Sequence, residues 1–393
     1  MSLNLDKSAW KRVRLGEVIR RSQTQVDPVS TGVERYVAGG HVDSEGVTIE
    51  RWGQVGDGQM GSTFRYVFKP GQVLFVSARP YLRKVGVPDF SGVVADKTYV
   101  LDAIPENGLL QEFLPFLLSS EAFIEYATAE ATGSMNPRLL WGPMQRYEFD
   151  LPPLEEQRRL AGLLWALERH WRATLAITEA AQDLLYRSRS EFFSDESGAV
   201  RAENAFLITI GRQRSPKHET GEHLVPYLRS ANVTPSGIDI NDVKAMNFSP
   251  EEQKKFRLEV GDVLVSEGSA SPKAVGMPAV WNGEIASPIC FQNTLLRYRP
   301  ITGVTLPGFV EQWCLWAFES GRFLNAASGT NIFHIGVRGA SGMKVRVPRL
   351  EEQAEFLSRV SAATELVAAP GKEASTIEAM RRAILTQVCG GRS

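Results

Sequence analysis

The sequence predicts an α/β (α+β) chain: two pseudo-symmetric globular domains separated by a pair of long antiparallel coiled-coil helices. Two observations carry this reading. An internal repeat runs through most of the 393 residues, and each copy ends in a long stretch of helical periodicity.

The repeat is clearest where Leu151-Pro-Pro-Leu-Glu-Glu-Gln157 returns 196 residues later as Val347-Pro-Arg-Leu-Glu-Glu-Gln353. Ala131-Thr-Gly-Ser134 returns at the same offset as Ala327-Ser-Gly-Thr330. Upstream, Lys69-Pro-Gly-Gln-Val-Leu-Phe-Val76 parallels Glu259-Val-Gly-Asp-Val-Leu-Val-Ser266, and Val85-Gly-Val-Pro88 parallels Val275-Gly-Met-Pro278, both at an offset of 190. Tyr36 and Gly46 match Tyr227 and Gly237 at 191. Five matches in one order at nearly constant spacing mean a duplicated unit with small insertions. The resulting segments are 1–150 (first globule), 151–195 (first helix), 196–346 (second globule) and 347–393 (second helix).

Within the globules, short β-type runs are punctuated by Gly and Pro. They include Arg65–Phe68, Gln72–Ser77 and Thr98–Leu101, then Asp262–Ser266, Ala279–Trp281 and Thr294–Tyr298. Helical stretches follow at Leu109–Glu130 and Pro307–Ala327, each leading into a Gly-Ser/Thr loop.

From Pro153 to about Phe193 the spacing is helical. Leu160, Leu164, Leu167, Trp171 and Leu175 begin a seam that continues to Phe192. Pro153 suits a first turn, and Glu155 and Glu156 suit the positive end of the helix dipole. At about 1.5 Å per residue such a helix would extend roughly 60 Å, long enough to need a partner. The second copy supplies one through Phe356, Val360, Ala363, Met380 and Ile384. Proline lacks a backbone donor and crowds the preceding turn, so Ala369-Pro370-Gly371 is expected to break or kink this second helix.

Lys and Arg number 44 against 45 Asp and Glu, a net charge of −1, so global charge neither supports nor excludes nucleic-acid binding. Cys290, Cys314 and Cys389 are scattered without a CxxC pair, and no metal-like cluster with the histidines is expected. The first ten residues are polar without an apolar signal region, and there is no run of about 18 apolar residues. The expected compartment is the cytoplasm, without membrane association.

In these residues each copy resembles the target-recognition domain and helix of Type I restriction–modification specificity (S) subunits. The likeness rests on Trp10-Lys-Arg-Val-Arg-Leu-Gly-Glu-Val18, on Val260-Gly-Asp-Val-Leu-Val-Ser266 leading to Val275-Gly276, on Gly133-Ser-Met-Asn-Pro-Arg138 with its counterpart Gly329-Thr-Asn-Ile-Phe-His334, and on the Leu-Glu-Glu-Gln helix openings. The resemblance implies a non-catalytic, DNA-binding protein of phage defence. Each domain would read half of a bipartite double-stranded DNA site, and the helices would set the gap. Two methyltransferase (modification) subunits and restriction/motor subunits would be its partners. S-adenosylmethionine and ATP would sit on those partners, with no cofactor in this chain. Arg349 and Gln72 depart from the pattern of the opposite copy.

Base readout requires Arg or Lys for guanine, Asn or Gln for adenine, and Ser or Thr for either. Arg79, Arg83 and Lys84 cluster around Tyr81 directly after an expected strand, a DNA-contact candidate whose alternative is a solvated basic turn. The matching stretch offers Ser269, Ser271 and Lys273. The Gly loops offer Ser134, Asn136 and Arg138, and Thr330, Asn331 and His334, or else they simply turn the chain into its last strand. Arg212, Arg214 and Lys217 form a further basic group.

Enzymatic signatures are weak. There is no phosphate-binding loop of the G-x-x-x-x-G-K-[ST] type. Asn136-Pro137 continues as Arg138-Leu139, unlike an amino-methyltransferase motif, and Glu252-Gln-Lys254 falls in an expected helix start.

Overall fold

The structure is a computed structural model and describes residues 5–286 and 288–390. The outermost residues of the first and last segments lie outside this range. Two compact units emerge: Met1–Ile177 with Ala369–Ser393, and Thr178–Ala368. The long helices are therefore not separate segments. Each is divided between the units, and each globule packs against the start of one helix and the end of the other.

In the first unit a five-stranded sheet runs in the order Ile19–Ser22, Thr98–Ala103, Val73–Val76, Val85–Pro88, Thr48–Ile49. A four-stranded sheet is ordered Gly53–Gln54, Arg35–Val37, Gly92–Ala95, Phe64–Phe68. Lys11–Arg14 pairs antiparallel with Glu148–Leu151 and closes the globule. The second unit repeats the plan with Phe206–Ile210, Leu295–Pro300, Val263–Ser266 and Pro278–Val280 in one sheet. Lys244–Asn247, Leu224–Leu228 and Cys290–Phe291 form another, and Val200–Arg201 with Lys344–Val345 closes it. One parallel pairing recurs, Tyr36 facing Val93 in one unit and Tyr227 facing Cys290 in the other.

The repeated sequence marks have physical causes. Gly71 and Gly261 sit at φ 81° and 92°, and Gly133 and Gly329 at 110° and 113°, conformations that a side chain disfavours. Gln72 accepts the Lys69 N–H at 2.8 Å, and Asp262 accepts the Glu259 N–H at the same distance. Gln72 then bonds Asp102, whereas Asp262 pairs with Arg299 at 2.6–2.7 Å. The donor has changed strands, but the bridge is the same.

The helical stretch expected at Leu109–Glu130 divides into Leu114–Ser119 and Glu121–Ala129, because the Ser120 side chain accepts the Phe123 N–H and starts a new helix. Its counterpart divides at Gly321, in the left-handed region at φ 74°.

The first long helix spans Leu154–Phe193, close to expectation. The second spans Leu350–Cys389 with Pro370 inside it. The expected break is thus corrected: helical structure continues through the proline. Proline withholds only its own N–H, which would have served the Leu366 carbonyl, so the helix loses one bond of its ladder and continues on the others.

Each unit pairs the helices locally. In the first, Leu160 and Leu164 share a core with Ile384, Leu385 and Val388, and Leu167 packs against it. Glu168 pairs with Arg381 at 2.9 Å and His170 with Glu373 at 2.8 Å, a descending register that makes the contact antiparallel. Arg381 also lies over Trp171, while Leu175 and Met380 are half-buried. In the second unit, Phe192 stacks on Phe356 at 4.0 Å, and Val360 and Ala363 complete the packing.

Gln157 and Gln353 are fully buried. Gln157 accepts the Leu110 N–H and donates to the Gly108 and Pro152 carbonyls at 2.7–2.9 Å. Gln353 accepts from Leu306 N–H and donates to Val304 and Pro348 at 2.9–3.0 Å. One amide in each unit therefore clamps a helix start to its globule.

Two stability outcomes follow from this packing. Gln353→Leu leaves one N–H and two carbonyls of half-buried residues without their partner, each worth roughly 1 kcal/mol or more, so chemical denaturation should show a loss of at least about 2 kcal/mol. A loss below about 0.5 kcal/mol would contradict the clamp. Pro370→Ala should raise stability by up to about 3 kcal/mol, the usual cost of an interior helical proline, and unchanged or lower thermal stability would contradict it.

Candidate nucleic-acid interface

In the first unit the strand Val73–Val76 runs into a turn whose two flanking residues, Arg79 and Arg83, are the only non-glycine positions among the described residues with positive φ, at 52° and 56°. Between them Pro80–Leu82 forms one turn of 3-10 helix, started by the fixed φ of Pro80. Left-handed backbone at a non-glycine residue costs free energy and persists only where neighbouring contacts enforce it. Those contacts are visible. The Arg79 N–H donates to Pro137 O at 2.6 Å, and Leu139 N–H donates to Ser77 O at 2.9 Å. Arg83 donates to Glu121 at 2.5 Å and to Ser119 O at 3.2 Å.

The turn is therefore stitched to the Gly loop. Arg138 makes the stitch through its side chain, donating to Ser77 Oγ at 3.0 Å and to the Asp96 carboxylate at 3.1 Å. Two candidate surfaces that lie 60 residues apart in sequence are one surface in space.

The second unit repeats the arrangement with other chemistry. Gly268–Ser269 pairs antiparallel with Phe333–His334, and Ile335 N–H donates to Glu267 O. His334 Nδ1 lies 2.9 Å from a Glu267 oxygen. By repeat offset, Glu267 stands where Ser77 does and His334 where Arg138 does.

Several candidates are thus occupied within the chain. Arg83, Arg138 and His334 hold the turns in place. Lys84 donates to Gly39 O, and burial, followed by the nearby Arg79 guanidinium, holds its ammonium below the ordinary value. Ser269 Oγ accepts from Ser271 N–H, and Ser271 Oγ from Lys273 N–H, so both hydroxyls brace their own turn.

Others project outward. Arg79 and Tyr81 are exposed with no side-chain bond among the described residues, as are Ser134 and Asn136 beside Met135, which is 89% exposed. Across the second surface Lys273, Thr330 and Asn331 are exposed beside Ile332. Of the additional basic group, Arg212 is held by Glu252 at 2.8 Å and Arg214 by Glu219 at 2.8 Å, while Lys217 is exposed.

Two cations escaped the sequence reading. Lys97 is exposed next to the stitch, with its carbonyl accepting Ser77 N–H and Oγ. Arg21 lies over the Tyr99 ring, which also carries Arg138. The only local signal was the Arg20-Arg21 pair, which nothing ties to a loop so distant in sequence.

Catalytic alternatives have structural explanations. Glu252 and Ser249 form a reciprocal cap at the start of Pro250–Phe256. Burial raises the Cys290 and Cys389 thiols to about 12 and Cys314 well above its ordinary value. Among the described residues no His, Cys, Asp or Glu group could hold a metal, and no helix is long and apolar enough to cross a membrane.

Two α/β units, each closed by a terminal strand pair and clamped to a 40-residue helix, make a fold that this chain shares with solved structures from Type I restriction–modification systems. No protein-family model matches the chain. Among solved structures it is similar to the Type I restriction–modification S subunit from M. genitalium, with a TM-score of 0.61, 14% identity and coverage of 100% of this chain and 99% of that one. It also resembles a chain from work on complex assembly and conformational transition of the type I R-M system, with a TM-score of 0.58, 23% identity and 98% of both chains covered. In sequence it is 22% identical over 284 residues to the Type I restriction enzyme EcoKI specificity subunit of Escherichia coli K12. That match takes in 65% of this chain and spans 59% of the relative's length.

Proposed function

We propose that this chain is the non-catalytic DNA-reading subunit of a Type I restriction–modification system, each unit reading one half of a bipartite duplex site. The observation that carries the reading is the stitched pair of loops. The same scaffold occurs twice, and the exposed side chains at its tips differ: Arg79, Tyr81 and Asn136 in one unit, Lys273, Thr330 and Asn331 in the other. A protein that reads two different half-sites needs one rigid presentation and two sets of readers. Phosphate contacts would set register and a few base contacts would specify.

The long helices act in this reading as the spacer between half-sites and as a docking frame for two modification subunits, with restriction/motor subunits joining them. S-adenosylmethionine and ATP bind to those partners. The setting is the cytoplasm.

Methylome sequencing of cells with and without this chain tests the reading directly: a split motif should appear only when it is present, and no motif change would refute it. Four residues inserted near Ala176 should alter the tolerated gap and leave both half-sites intact, whereas altered half-sites would defeat the spacer role. Arg79→Ala should weaken duplex binding by about 1–3 kcal/mol and relax one position of one half-site. Wild-type affinity together with an unaltered motif would remove Arg79 from the readers.

A further inference from the structure

Arg21 sits on the strand Ile19–Ser22, at the edge of the five-stranded sheet. Its guanidinium lies 4.4 Å from the Tyr99 ring centroid and 5.5 Å from that of Tyr66. Tyr99 is buried, and its hydroxyl donates to Leu139 O at 2.9 Å, which fixes the ring that Arg21 rests on. Arg138 occupies the same ring at 5.8 Å, but Arg138 is neutralised by Asp96. Arg21 is half-buried and, among the described residues, its guanidinium donates no hydrogen bond and meets no carboxylate.

Two guanidiniums thus share one aromatic ring while only Arg138 has a counter-ion, leaving one positive charge and a planar fork of donors unanswered beside the stitched loops. Partial burial makes unanswered donors costly, so this geometry suits an anion arriving from outside. Because the side chain lies along two rings, it is not extended outward as a groove reader would be.

We propose that Arg21 is a backbone-phosphate contact of the first unit, which positions the DNA for the Arg79 turn. This rests on the DNA-reading function above. The contact is one-sided: by strand register the second unit has Ile208 where Arg21 stands and Leu296 where Tyr99 stands, so neither the cation nor the ring beneath it is repeated at those positions.

The test uses the full chain assembled with its modification subunits. The probes are a duplex carrying the split motif read from the methylome and a same-length duplex with that motif scrambled. Arg21→Ala should weaken binding to both duplexes roughly tenfold, equivalent to about 1.4 kcal/mol, and lower the slope of log affinity against log salt by about one, with the methylome motif unchanged. Arg21→Gln, which keeps the stem over the rings, should behave alike and stands in if the alanine variant does not fold. Unchanged affinity and slope would overturn the assignment, and so would loss of preference at a motif position, which belongs to a base reader. If wild type binds with salt sensitivity and Arg79→Ala weakens it while Arg21→Gln does not, only the Arg21 role falls. If wild type shows no salt-sensitive duplex binding, the DNA-reading function itself falls.

Discussion

In each unit the direction of a long helix relative to its globule depends on a single buried amide. Gln157 and Gln353 sit one turn into their helices, where no water replaces a lost partner. Each joins three backbone segments: the loop before the short helices, the exit from the last strand, and the long helix itself. A side chain with one carbonyl and one amino group can satisfy an N–H and two C=O groups at once. Glutamate would lack the donors, and leucine would satisfy nothing. That requirement explains why the repeated motif ends in glutamine, and it brings Leu160 and Leu164, or Phe356 and Val360, onto the cores beneath.

Around this clamp the two units keep their geometry while exchanging their chemistry. Gln72 with Asp102 becomes Asp262 with Arg299, and Ser77 with Arg138 becomes Glu267 with His334. Each exchange conserves a bridge and its place; the first moves the donor to the opposite strand, and the second keeps donor and acceptor where they were while changing the groups. The anchoring charges differ as well. In the first unit the buried Glu168 carboxylate accepts the Val47 and Thr48 N–H groups and pairs with Arg381. In the second, buried Arg189 is held by Glu319 and Gln312. A buried charge tolerates removal of its partner poorly, so both are fixed points of their units. With the frame secured from below, side chains at the loop tips are free to differ between the units.

The periodic and glycine-marked features were legible in sequence because their causes are local. Strand cores such as Val73–Val76 and Val263–Ser266, the opening of the first long helix, and the turns at Gly71 and Gly261 follow from burial, capping and permitted φ. Pro370 does not end its helix because the local cost of one missing N–H is outweighed by the rest of the ladder on either side. The helical stretch at Leu109–Glu130 is present as two helices, because the Ser120 hydroxyl caps the second one.

The sequence alone determined the duplication, the two globules of mixed strands and helices, and the paired apolar seams, since repeat offset and side-chain period survive without knowledge of neighbours. Only the tertiary structure decided which basic residues remain available to a ligand. Arg83, Lys84 and Arg138 look like Arg79 in a sequence, yet each is spent on a partner brought close by folding, and Arg21 enters the same surface from a strand more than 50 residues away. Charge is a property of a residue, but whether that charge is already answered depends on which groups folding brings beside it.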